Sequence, residues 1–185
     1  MITTLDPTTA LVLIDLQKMI VSRQTVHPVE TILHNAGKLL DAFHEKSAPV
    51  VIVKVDPSKF ATSTARKDAK MPAMVIGNDF MDTAPGLKTK PDDILIIKYT
   101  WNAFYGTQLH NELQKRNVTG IVLAGISTSI GVEGTARAAS EHGYNIAFAL
   151  DAMTDPVAEA HAHSMKYIFP RIGESGTTDE IIAKL

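Results

Sequence analysis

Gly120-Ile121-Val122-Leu123-Ala124 runs directly into Gly125-Ile126-Ser127-Thr128-Ser129-Ile130-Gly131, and the reading of this stretch decides the fold. A short apolar run of aliphatic and β-branched residues bounded by glycine reads as a strand. Ser127 and Thr128 come next, and their hydroxyls can satisfy the free N–H groups of a first helical turn, which predicts a helix to about His142. A strand that passes at once into a helix is one βα unit.

Working outward, the same alternation recurs. Ala10-Leu11-Val12-Leu13-Ile14 reads as the first strand and ends at Asp15, and Pro49–Val53 reads as the second. Between them, residues 28 to 46 place Ile32, Leu33, Leu39, Leu40 and Phe43 at helical spacing. Ile94–Ile97 is a third strand ending at Lys98, and Gly106 to Arg116 can be helical. A fifth strand runs from Tyr144 to Leu150 and ends at Asp151. Asp155-Pro156 reads as a cap with proline at the first helical position, opening a helix to about Tyr167. A brief strand near Arg171-Ile172 precedes a last helix in which Thr177 and Glu180 have capping-box spacing. Residues 56 to 92, with four prolines and little periodicity, form a long excursion of the kind that covers sites. Alternating strands and helices predict an α/β fold: a three-layer α/β/α sandwich around a mainly parallel six-stranded sheet, Rossmann-like.

Composition bounds the rest. A chain of 185 residues with 45% hydrophobic residues is expected to form one domain over residues 1 to 185. A net charge of -2 and a pI near 6.4 supply no basic excess for nucleic acid or an anionic membrane. No basic leader followed by a long apolar stretch opens the chain, and no apolar run approaches the roughly 18 residues that span a bilayer, so a cytoplasmic protein is expected. There is no cysteine, which removes disulfides, thiolate metal sites and thiolate nucleophiles.

In open parallel sheets ligands bind beyond the carboxyl ends of the strands. The residues there are Asp15, Asp56, Lys98, the Gly125–Gly131 segment and Asp151. Taken alone, an aspartate after one strand and a lysine after another are as compatible with a structural ion pair as with a catalytic pair.

Three segments resemble the isochorismatase-like hydrolase superfamily, in their order and across most of the chain. Leu11-Val12-Leu13-Ile14-Asp15-Leu16-Gln17 resembles its opening strand. Ile97-Lys98-Tyr99-Thr100-Trp101-Asn102-Ala103-Phe104-Tyr105-Gly106-Thr107 resembles its second motif, a lysine followed by an aromatic-rich turn. Gly125 to Arg137 resembles the third, in which most relatives carry a nucleophilic cysteine where this chain has Gly131. The resemblance implies Asp15 as acid or base, Lys98 as its electrostatic partner, and a non-proline cis peptide between Ile126 and Ser127. It also implies a homodimer or homotetramer.

The departure at Gly131 excludes an acyl-enzyme on cysteine, and no histidine lies at an evident position to activate Ser127, Thr128 or Ser129 instead. The subgroup that cleaves isochorismate also carries glycine here, because protonating a vinyl ether requires an acid and no protein nucleophile. Those members have an aromatic residue where Ser127 stands and histidine at Ser129. The expected catalytic set is therefore Asp15, Lys98 and Gly131, the last opening the helix's first N–H groups to a ligand. Gln17, Tyr99, Trp101, Phe104, Ile126, Ser127 and Ile130 are expected to contact a small-molecule substrate, with core packing an equal expectation for Phe104. Arg66 and Lys67, in the excursion, could meet a carboxylate or serve solubility. No metal and no cofactor are expected: Asp56-Pro57-Ser58-Lys59-Phe60 contains no histidine, and His161 and His163, two apart on a helix, point away from each other and read as surface residues. Two rivals stand beside the enzyme: a binding or regulatory protein that kept the fold, and an oligomeric structural protein.

Overall fold

Strand β1 (Thr9–Ile14) is buried at every position, so its side chains divide between two dry faces. Ala10, Val12 and Ile14 enter one core and Leu11 and Leu13 the other. A strand apolar on both faces needs cover above and below, and this is what the sheet receives.

The computed structural model describes residues 1–58, 66, 68, 77 and 79–185. After β1 come a one-turn helix α1 (Lys18–Val21), the long helix α2 (Val29–Glu45), β2 (Val50–Val55), β3 (Ile94–Lys98) and α3 (Leu109–Gln114). β4 (Gly120–Ile126) leads through a π-helical turn at Thr128–Val132 into α4 (Glu133–Glu141). Then follow β5 (Asn145–Thr154), α5 (Ala158–His163), a second π-helical turn at Ser164–Ile168, α6 (Phe169–Ile172), β6 (Glu174–Gly176) and α7 (Thr178–Ile182). The sheet has six strands in the order β3-β2-β1-β4-β5-β6, and every pairing is parallel. Helices α2 and α7 pack on one face through Ile32, Leu39, Phe43 and Ile181. On the other face α3, α4 and α6 contribute Leu109, Leu113, Ala136 and Phe169. This is the expected three-layer sandwich, with all strands parallel.

Strand order reverses between β1 and β4, the place where a doubly wound sheet opens a crevice at its carboxyl edge. Gly125 holds β4 close to β1 there. Its φ of +130° lies outside the range of ordinary side chains, and a Cβ would stand 2.1 Å from the Ile14 carbonyl oxygen. The pairing of β4 with β5 also shifts register between Leu123 and Gly125.

Several sequence expectations shift. β5 continues to Thr154, so Asp151 lies within the strand, where its Oδ1 accepts from the N–H and hydroxyl of Thr178 and secures α7. The last strand is Glu174–Gly176 rather than near Arg171, and the capping box at Thr177 and Glu180 is present. The hydroxyls of Ser127 and Thr128 cap no helix. That function passes to Asp155, whose Oδ2 accepts from the N–H and Oγ of Ser129. The α5 helix starts at Ala158, later than Asp155-Pro156 suggested.

Candidate active site

Asp15 ends β1 with φ +53°, in the left-handed region that aspartate enters more readily than most residues. This bend turns its carboxyl under the start of the α4 segment, 6% exposed as a residue. Lys98, the last residue of β3, is 1% exposed, and its Nζ lies 2.7 Å from Asp15 Oδ2. The Lys98 ammonium also donates to the carbonyls of Trp101 at 2.9 Å and Thr100 at 3.2 Å. An ammonium has three hydrogens, so Lys98 has none left over. Asp15 Oδ1 is different: among the described residues it is the one buried side-chain oxygen or nitrogen without a hydrogen-bond partner.

Burial pushes the Asp15 carboxyl up to about 6, against the charge and hydrogen bond of Lys98, which pull it down. Desolvation disfavours the anion more than the single ammonium favours it. A carboxyl near 6 is still protonated in about a tenth of molecules at pH 7, and can both give and take a proton.

Gly131 stands over this pair. A Cβ at its position would lie 3.2 Å from Asp15 Oδ2, 3.5 Å from Lys98 Nζ and 2.9 Å from Ile14 Cγ2. Any side chain at 131 would therefore project onto the carboxyl and the ammonium, and glycine leaves that space to a ligand. The Ile126–Ser127 peptide, immediately before the π-helical turn, is cis.

Asp15, Lys98, Gly131, Ile126, Ser127 and Ile130 border one cavity of about 150 Å³, with Trp101 at its mouth and 64% exposed. Three predicted contacts lie elsewhere. Gln17 is fully buried as a strut, donating to the Val55 and Phe80 carbonyls and accepting from the Val55 N–H, so its amide is committed to holding the loops after β1 and β2. Phe104 is core, its ring 5.9 Å from Tyr144 and 5.1 Å from His142. Tyr99, beside Lys98, is half-buried and outside the cavity wall, since neighbouring strand-end residues point to opposite sides. Asp56 also stays out, with Oδ1 accepting from the Ser58 N–H. Arg66 is exposed, and Lys67 lies outside the described residues.

Sequence reasoning missed the opposite wall. Ile20, Arg23, Gln24 and Thr25, from α1 and the loop after it, line the cavity along with Phe80 and Pro156. The loop after β1 is at the same sheet edge as Asp15, and that topology was the available signal. It also missed His161, which is 7% exposed: its Nδ1 is 2.9 Å from Thr128 Oγ1, and its ring is 4.9 Å from that of His27. Desolvation lowers the His161 pKa, His27 adding to the effect and Asp155 opposing it. A histidine thus does sit beside a hydroxyl of the third motif, but Thr128 is fully buried and takes no part in the cavity wall. Among the described residues no three histidines or carboxylates gather as a metal would require, and no helix is long and apolar enough to cross a membrane.

Comparison with known proteins agrees with this architecture. The isochorismatase domain profile matches residues 9–180. The isochorismatase family protein YecD of Escherichia coli O157:H7 is 40% identical over 181 residues, 96% of each chain, and YwoC of Bacillus subtilis is 37% identical over 185 residues, 96% of this chain and 94% of that one. An isochorismatase family protein from Burkholderia thailandensis superposes with a TM-score of 0.94 at 34% identity, covering 100% of this chain and 99% of the other. The chain belongs to the isochorismatase family.

Proposed function

We propose that this protein is a hydrolase that works by proton transfer at Asp15 and uses no protein nucleophile. The family to which it belongs is one of hydrolases. The observation that carries the reading is the buried, unpartnered Asp15 Oδ1 on a carboxyl raised to about 6, beside an ammonium whose hydrogens are all engaged. A structural ion pair would satisfy both its oxygens, because a buried unsatisfied acceptor is costly. Here one oxygen waits for a ligand.

The chemistry that suits an acid without a nucleophile is hydrolysis of an enol or vinyl ether. Protonated Asp15 gives its proton to the terminal vinyl carbon and an oxocarbenium ion forms. Water adds to the oxygen-bearing carbon of that ion and returns a proton to Asp15, and the hemiketal collapses to a ketone and an alcohol. Lys98 steadies the carboxylate while the proton is away, at no reorganisation cost because its three donors are already fixed. Gly131 keeps the space above the pair open to substrate and water. Isochorismate-type cleavage belongs to this class, and assembly of two or four copies in the cytoplasm is part of the same proposal.

A screen of enol ethers, small esters and amides with wild type, Asp15→Asn and Lys98→Ala tests it. The reading requires activity in the wild type and its loss in both variants. Activity that survives both substitutions would place the reaction elsewhere, and ligand-induced thermal stabilisation with no product would make the protein a binder.

A further inference from the structure

The cavity wall that carries Gly131 is the turn Thr128–Val132, and the groups that hold this turn lie behind it. Ser127, Ile130 and Gly131 border the cavity, while the anchoring bonds fall on Thr128, Ser129 and Glu133. Asp155 holds Ser129. The other two anchors come from the α5 segment. His161 and Ser164, three residues apart and so on one face of it, reach Thr128 and Glu133. His161 Nδ1 is 2.9 Å from Thr128 Oγ1, and Ser164 Oγ donates to Glu133 Oε2 at 2.6 Å. They grip the turn at its first residue and at the residue just past its last, with Gly131 between them.

His161 is itself fixed. It is buried, and Thr128 and Ser164 are fully so, which shelters these bonds from water. The His27 ring stands 4.9 Å from the His161 ring, and His27 is tied to Thr154 Oγ1 through its N–H at 3.2 Å and its Nδ1 at 3.1 Å. Desolvation, with His27 adding to it and Asp155 opposing it, lowers the His161 pKa and leaves the ring neutral at pH 7. A neutral imidazole and a hydroxyl can each donate and accept, so the pair closes in either tautomer. A buried hydroxyl deprived of its partner is costly, and the turn would move to bring Thr128 to water.

Gly131 stands so close to Asp15 that a small shift of the turn matters: a Cβ there would lie 3.2 Å from Asp15 Oδ2. The same proximity keeps water from the carboxyl, and burial is the first cause of its raised pKa. We propose that His161 is a positioning residue of this site, which holds the Gly131 turn over Asp15 through the Thr128 hydroxyl. This rests on the cavity being the active site. His161 does not border the cavity, so it acts on a ligand through the turn and never by contact. A misplacement of about 1 Å can cost about 100-fold in rate, which is why a bond behind the wall bears on chemistry in front of it.

A ¹³C NMR titration of the Asp15 carboxyl in the whole protein, with melting temperatures alongside, tests the assignment without a substrate. His161→Leu fills the space and cannot bond Thr128, His161→Asn places an amide near Nδ1 and can, and Thr128→Val removes the hydroxyl while keeping the shape. Both His161 variants lack the titrating ring, so the difference between them reads the hydrogen bond. The Asp15 midpoint is expected to fall from about 6 to about 5 in His161→Leu and in Thr128→Val, as water reaches the carboxyl, and to return towards 6 in His161→Asn. The two substitutions combined should lower it no further than either alone. An unchanged midpoint in Thr128→Val, or equal midpoints in His161→Leu and His161→Asn, would overturn the proposal even if melting temperatures drop, because a merely structural bond would cost stability and leave Asp15 as it was. Should His161→Leu fail to fold, Thr128→Val carries the test. None of these arms reads turnover: a failed Asp15→Asn test would remove the acid, and the midpoints would still report whether His161 holds the turn.

Discussion

Two buried aspartates flank the same cavity, and they are built in opposite ways. Asp155, 1% exposed, uses both oxygens: Oδ2 accepts from the N–H and Oγ of Ser129, and Oδ1 from the Val157 N–H. Asp15, 6% exposed, uses one oxygen on Lys98 and leaves the other with nothing. Burial is comparable, so it does not separate their roles; hydrogen-bond completeness does. A satisfied carboxyl is a clamp, and an unsatisfied one retains the capacity to act on a ligand.

The comparison breaks most visibly in turnover. Asp15→Asn keeps shape and removes the transferable proton, and the expected loss is about 10²–10⁴-fold in turnover with little change in melting temperature. Asp155→Ala should do the converse in stability: three hydrogen bonds to a buried carboxylate disappear, at a cost of about 3 kcal/mol in urea unfolding. If Asp15→Asn were the more destabilising of the two, the roles would have to be exchanged.

A smaller effect is expected at Gly131. Gly131→Ala puts a methyl 2.9 Å from Ile14 Cγ2, which must shift within a packed core, and should cost about 1–2 kcal/mol in unfolding free energy. The same methyl crowds the Asp15 oxygen already paired with Lys98, so turnover should fall as well. Unchanged stability and turnover would remove Gly131 from the site.

The remaining effect lies in the pH dependence of stability. Asp15 is raised in the folded protein, to about 6 from an ordinary 3.8, so folding favours its protonated form. That contribution is complete below pH 3.8 and is lost as pH rises through 6. Unfolding free energies of wild type minus Asp15→Asn should therefore become less favourable to wild type between pH 4 and pH 7. Protonation of His161 acts at an overlapping pH but is common to both proteins, so it cancels in the difference.

The first five strands were legible because each contains an unbroken apolar run, and parallel order followed from the helices between them; β6, Glu174-Ser175-Gly176, has no such run and was placed near Arg171 instead. Asp15 and Lys98 were legible because they terminate such runs at the carboxyl edge. Asp155 was misread as opening α5, since a cap residue looks the same in sequence whether it serves the next helix or, across the sheet edge, the turn at Ser129. Gln17 was misplaced, and Phe104 was left open between site and core, for a similar reason: a polar or aromatic side chain beside a site residue is drawn into a site or a core by tertiary partners that sequence spacing does not display. Arg23 gave no motif at all, because its wall comes from a loop pinned by β5, more than a hundred residues away.

The central claim is that Asp15 is held by burial as an acid that titrates near neutrality, with Lys98 opposing that shift. A ¹³C NMR titration of the Asp15 side-chain carboxyl, in wild type and in Lys98→Met, addresses it directly. The account predicts a midpoint near 6 in wild type and a higher one once the ammonium is gone. A wild-type midpoint at or below 4, or a midpoint that does not rise in Lys98→Met, would contradict it.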